Sequence, residues 1–75
     1  MFLRIKFRVT KFATTANGEK EVTLLVMHDK TIREDLRIAR ERPYGSIQFT
    51  LDNPAVAHFF KPGKYVYVEI SDAPV

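Results

Sequence analysis

No cysteine occurs in this chain of 75 residues. Disulfides and thiolate metal sites are therefore excluded together. A domain this short buries only about 60% of the surface that its unfolded chain exposes. Small domains commonly make up the deficit with disulfides, a metal or a partner chain. The two histidines, His28 and His58, lie far apart without paired-ligand spacing, so no structural metal is expected. Association with a second copy or a larger assembly is the expected route to stability. Long apolar runs are also missing: nothing approaches the ~18 consecutive apolar residues of a membrane span, and no membrane partner is expected. Residues 1–9 alternate apolar with basic residues and lack the unbroken apolar core of a signal peptide. The expected location is the cytoplasm, or a particle that carries the protein.

Catalytic equipment is equally sparse. Three glycines form no phosphate loop, and no serine sits in a nucleophile-elbow pattern. The spacing of Asp29, Asp35, Asp52, Asp72, Glu34, Glu41 and Glu69 does not pair them. His28 and Asp29 are neighbours, but neighbours on a strand point to opposite faces. The expectation is a non-enzymatic protein without a cofactor.

What is present is alternation. The net charge is +3 and the pI about 9.5, enough to suit an anionic partner without identifying one. In residues 3–9, Leu3, Ile5, Phe7 and Val9 alternate with Arg4, Lys6 and Arg8. That is the pattern of a half-buried strand with a basic outer row. Asn17-Gly18 is a hairpin-turn signal. A second strand over residues 21–28 carries Val22, Leu24 and Val26 against Thr23, Leu25 and Met27. Its second face turns apolar at Leu25 and Met27, so a helix or another subunit is expected to cover it.

Thr31 and Glu34 have capping-box spacing. Ile32, Leu36 and Ala39 recur at helical spacing, and Pro43 ends the run. The spacing predicts a helix over residues 32–42. An extended reading also stands, because Leu36 and Ile38 alternate with Arg37. After a turn at Pro43-Tyr44-Gly45, a strand over 46–51 directs Ile47, Phe49 and Leu51 inward. Asn53-Pro54 signals a helix start, giving a helical turn over about 54–60 that Pro62-Gly63 closes. In the last strand, 64–70, Val66, Val68 and Ile70 oppose Tyr65, Tyr67 and Glu69. Residues 71–75 read as a loose tail. The expected fold is a single mostly-β (α+β) domain over 1–75. Its four or five strands form a small curved antiparallel sheet or a partly open, OB-like barrel.

The outward row of the first strand is the candidate working surface. Arg4, Lys6 and Arg8 would track phosphates, while Phe12, Tyr65 and Tyr67 would stack on bases. This predicts a single-stranded nucleic-acid interface, with DNA and RNA both open. A basic outer row also discourages edge aggregation, and a bulge near Thr10 would turn Phe12 into the core. The alternative is protein–protein contact through Leu25, Met27, Phe59 and Phe60.

The segment Pro43-x-Gly45-Ser46, followed by Asn53-Pro54-Ala55-x-x-x-Phe59-Phe60-x-Pro62-Gly63-Lys64 and a Tyr-Val-acid strand, is similar to small phage and prophage proteins that end in a Pro-Gly-Lys…Tyr-Tyr-Val-Asp-Phe string. Those proteins also begin with a basic alternating strand. Here Val66, Glu69 and Ile70 stand where that string has tyrosine, aspartate and phenylalanine, and the alternation survives. The resemblance implies a phage or prophage origin and supplies no activity. Under it, a virion or assembly component, or an inhibitor of a host protein, stands beside the nucleic-acid reading.

Overall fold

The computed structural model describes residues 2–39 and 41–74, with the backbone alone for Phe2. Four strands, β1 (Phe2–Thr14), β2 (Lys20–Val26), β3 (Ser46–Leu51) and β4 (Tyr65–Ser71), form one antiparallel sheet in the order β3-β2-β1-β4. That is the spatial order of a Greek key, three successive strands and a fourth that returns beside the first. The sheet curls into a half-barrel, so the expected small curved sheet is what forms. A single helical turn, α1 (Pro54–Ala57), lies in the return connection.

Strand β1 organises the rest because it is long enough to serve two partners. Its residues from Phe2 to Arg8 pair with β4, and those from Phe7 to Thr14 pair with β2. Only Phe7 and Arg8 are paired on both sides, so the two neighbours are offset along β1 and the sheet coils. The register slips between Val9 and Lys11, leaving Thr10 as the extra residue of a bulge. A bulge increases local twist and reverses the side-chain phase beyond it. Before Thr10 the inward residues are Ile5, Phe7 and Val9; after it, Phe12 faces Val22 and packs against the core.

The buried core is one layer of six apolar residues, Ile5, Phe7, Val9, Val22, Leu24 and Val26. All belong to the two central strands. Phe12, Ile47, Phe49, Leu51, Phe60, Val66 and Val68 surround them, half-buried on the concave side.

The turns follow their residue chemistry. In the β1–β2 connection Gly18 N–H donates to Thr15 O at 3.0 Å, and Gly18 alone takes a positive φ, of 83°. Asn17 stays at negative φ, so the loop is a turn closed by a left-handed glycine rather than a two-residue hairpin. Lys61-Pro62-Gly63-Lys64 is closed by Lys64 N–H to Lys61 O at 3.0 Å, with Gly63 at φ 90°. Proline then glycine in the two central places is the type II requirement. Asn53 caps α1, its side chain accepting from Ala55 N–H at 3.0 Å, with Pro54 in the first turn.

The segment after β2 departs from expectation. The helix expected over 32–42 is replaced by a single 3-10 turn, Glu34–Leu36, flanked by bends; Arg40 lies outside the described residues. The expected capping box does not form. Thr31 instead gives both its N–H and its hydroxyl to Asp29, at 3.0 and 2.6 Å. Arg37, at the end of the turn, is extended, and its guanidinium donates back to Ile32 O at 2.7 Å and Lys30 O at 3.2 Å. The segment closes on itself through side chains, and its backbone bonds are isolated three-residue steps, Ile32 N–H to Asp29 O at 3.3 Å, Leu36 N–H to Arg33 O at 2.9 Å and Arg37 N–H to Glu34 O at 3.3 Å. Strand β2 also ends earlier than expected, at Val26, with Met27 N–H making one further bond to Lys6 O. At the C-terminal end Ser71, expected in the tail, pairs with Phe2; Val75 lies outside the described residues.

Two adjacent leucines test the register. Leu24 is 3% exposed and Leu25 46%. Leu24→Ala should cost about 2–5 kcal/mol, whereas Leu25→Ala should stay within about 0.5 kcal/mol of the parent. Urea unfolding midpoints of the two variants measure the difference.

Candidate nucleic-acid interface

On the convex face, the pairing of β1 with β4 sets cations beside aromatics. Arg8 is opposite Tyr65, Lys6 opposite Tyr67, and Arg4 opposite Glu69. The side chains lean across the pairs. The Lys6 ammonium lies 4.9 Å from the centre of the Tyr65 ring, with the Arg8 guanidinium at 5.8 Å, and the Arg4 guanidinium lies 5.4 Å from Tyr67. A cation within about 6 Å of a ring face is attracted by its quadrupole. Both tyrosines remain half-exposed, at 53% and 52%. Five of the six residues expected to bind nucleic acid thus lie together, and Phe12 does not. The bulge at Thr10 turns it to the concave side and puts Lys11 in line with the cationic row.

The cations are not equivalent. Arg4 donates from Nε and Nη2 to one oxygen of Glu69, at 3.1 and 2.8 Å. Lys11 is held by Glu21 at 3.2 Å. Hydrogen bonds from Lys11 and Gln48, with the lysine charge, hold the Glu21 carboxyl below its ordinary pKa. Lys6 and Arg8 make no ion pair within 4 Å among the described residues. They are the cations best placed to receive an external anion.

Sequence reasoning missed Asp29. It is the one buried charged residue among those described, 7% exposed, where the chain leaves β2 and turns over the cationic row. Besides the two bonds from Thr31, its second carboxylate oxygen accepts from the Tyr67 hydroxyl at 2.9 Å. The Thr31 bonds are the main cause of an acid shift to about 2, helped by Tyr67 and the charge of Lys6, and they outweigh the opposing effect of burial. Asp29 therefore anchors the Tyr67 ring and pins the following segment to the sheet. The signal in the sequence was Asp29-x-Thr31, in which an aspartate bonds the backbone two residues on.

The residues expected at a protein interface divide between the faces. Leu25 lies on the convex side between Arg8 and Ser46. Met27 is half-buried beside Ile32, Ile38 and Pro43 in a space of only about 20 Å³, so these residues cover it. Phe60 packs edge-on against Phe49, with ring centres 5.4 Å apart, and Phe59 packs on Phe60 at 5.1 Å. Phe59 stays half-exposed, with the Lys64 ammonium 3.5 Å from its ring centre. Around this turn the concave face opens into two apolar clefts of about 630 and 510 Å³, which meet at Leu51, His58 and Phe60. Among the described residues no group of three or more acidic, histidine or cysteine side chains is placed to hold a metal, and no helix is long and apolar enough to cross a membrane.

Asp29 has a pH signature. Its folded pKa is depressed from 3.8 to about 2, so its contribution to stability is complete above the unfolded value and is lost as pH falls through the folded one. Stability should therefore fall between about pH 4 and pH 2. Asp29→Asn, which keeps an acceptor for Thr31, should fall less over that interval. Urea midpoints of parent and variant at a series of acid pH values measure the difference.

No protein-family model, curated protein or solved structure matches this chain.

Proposed function

We propose that the protein is a non-enzymatic module that binds single-stranded nucleic acid on the convex face of its sheet. The observation that supports this reading is the register that sets Lys6 and Arg8 beside Tyr65 and Tyr67. Phosphates would be met by the Lys6 and Arg8 charges, with Arg4 as a weaker contributor because Glu69 already holds it. Bases would stack on the exposed faces of the two tyrosines. Stacking on an aromatic side chain is worth about 1–3 kcal/mol per base and is tolerant of sequence. Phe12 has no part in this reading.

A second reading is protein contact through the concave face, as in a phage assembly component or a protein that binds a host factor. It is supported by the two open apolar clefts and by the half-exposed Val56 and Phe59 at their margin.

Fluorescence anisotropy with labelled DNA and RNA oligonucleotides separates the two. On the first reading, binding weakens with salt, with a slope of about −0.7 per phosphate neutralised on a single strand. Lys6→Gln with Arg8→Gln should lower affinity and reduce that slope by roughly 1.4. Tyr65→Ala should cost about 1–3 kcal/mol and leave the slope unchanged. Val56→Ser should leave binding intact. No binding at low salt would discard the nucleic-acid reading and leave the concave face as the working surface.

A further inference from the structure

The half-barrel is open. Its radius of gyration is 14.0 Å, against roughly 11 Å for a compact domain of this length. Strands β3 and β4 each pair on one side only among the described residues. Edge strands of soluble proteins are commonly guarded by lysine, proline or a bulge. Strand β4, Tyr65-Val66-Tyr67-Val68-Glu69-Ile70-Ser71, contains no lysine, arginine or proline, and its pairing with β1 runs through seven residue pairs without a slip. Its one charge, Glu69, is already held by Arg4. Ile70 is half-exposed at this edge.

We infer that the open edge of β4 pairs with the same edge of a second copy, antiparallel about a two-fold axis at Val68. The phase of the backbone suits this. Val9 N–H donates to Lys64 O at 2.9 Å, so the main-chain groups of Val66, Val68 and Ile70 face β1. Those of Tyr65, Tyr67, Glu69 and Ser71 face outward, because successive residues alternate in direction along a strand. About Val68, Tyr67 pairs with Glu69 and Tyr65 with Ser71 of the other copy, through these free groups. Val66 then meets Ile70 on the concave side and covers it.

The registers that keep concave residues together include two rivals. An axis at Glu69 sets two carboxylates directly opposite, which is unfavourable. An axis at Tyr67 leaves Ile70 and Ser71 overhanging. The axis at Val68 pairs the whole strand, opposes no like charges and closes as an isologous dimer.

The dimer would be one eight-stranded sheet. On its convex face the four tyrosines of two β4 strands lie between two cationic rows, three strand spacings or about 14 Å apart. The inference goes beyond the nucleic-acid reading and does not depend on it.

Sedimentation equilibrium combined with amide hydrogen exchange tests it on the unmodified protein. The expected result is a dimer in which the Tyr67 and Glu69 amides are protected and lose protection on dilution. Because the chain has no cysteine, a second test is direct. Facing residues at a non-hydrogen-bonded antiparallel pair have Cα atoms about 4.5 Å apart, within disulfide reach. Val68→Cys should oxidise to a covalent dimer, and Val66→Cys, facing Ile70 of the other copy, should not. A monomer at all concentrations would overturn the inference. So would a dimer whose Tyr67 and Glu69 amides exchange freely, since its interface would lie elsewhere. Equal cross-linking of the two cysteine variants would overturn the Val68 axis.

Discussion

Strand β1 must bury one row of side chains while its other row stays in water, and most of the molecule follows from that constraint. Ile5, Phe7 and Val9 form half of the buried layer and can be covered only from the concave side. Their alternation with Arg4, Lys6 and Arg8 forbids a one-residue slip, which would drive three cations inward. With β1 held in phase, β2 supplies the other half of the layer through Val22, Leu24 and Val26. Strands β3 and β4 then add the half-buried flanks. The bulge at Thr10 belongs to the same solution, since it brings Phe12 onto the concave side where the pure alternation would have exposed it.

The same constraint produces the convex surface. Cations kept outward by the burial of their neighbours are lined up by the β1–β4 register beside the outward tyrosines of β4. Two of those cations are neutralised nearby, Arg4 by Glu69 and Lys11 by Glu21. The charge that remains is concentrated at Lys6 and Arg8, next to Tyr65. Asp29 lowers the local positive potential, yet it also holds the Tyr67 hydroxyl and ties the turn at Thr31 to the sheet. The surface is thus a set of partly matched charges around two rings, not a uniform basic patch.

Stability and openness pull in opposite directions here. A single layer of six buried side chains is a small core, and the concave clefts leave part of the surrounding apolar surface wet. The edge of β4 carries the same deficit in its backbone groups. Pairing through that edge would satisfy those groups and cover Ile70, while the concave clefts would stay open for another occupant.

Sequence by itself determined the features that depend on neighbours within a few residues. The alternating strands, the glycine-dependent turns at Gly18 and Gly63, and the Asn53-Pro54 helix start were all legible, because backbone preference and side-chain alternation are local. So was the presence of a basic-aromatic row. The helix expected over 32–42 was not what forms, since its capping residue Thr31 bonds to Asp29 and Arg37 bonds back to the chain, and one competing side-chain contact outweighs weak helix preference. Tertiary structure decided which residues share the convex face. Phe12 left it because a bulge is set by pairing with β2, and Tyr65 and Tyr67 joined it because β4 lies beside β1. Asp29 became a buried anchor only because Tyr67, 38 positions away, comes within 2.9 Å. No local pattern encodes a contact across that separation, because it exists only once the sheet has chosen its strand order and register.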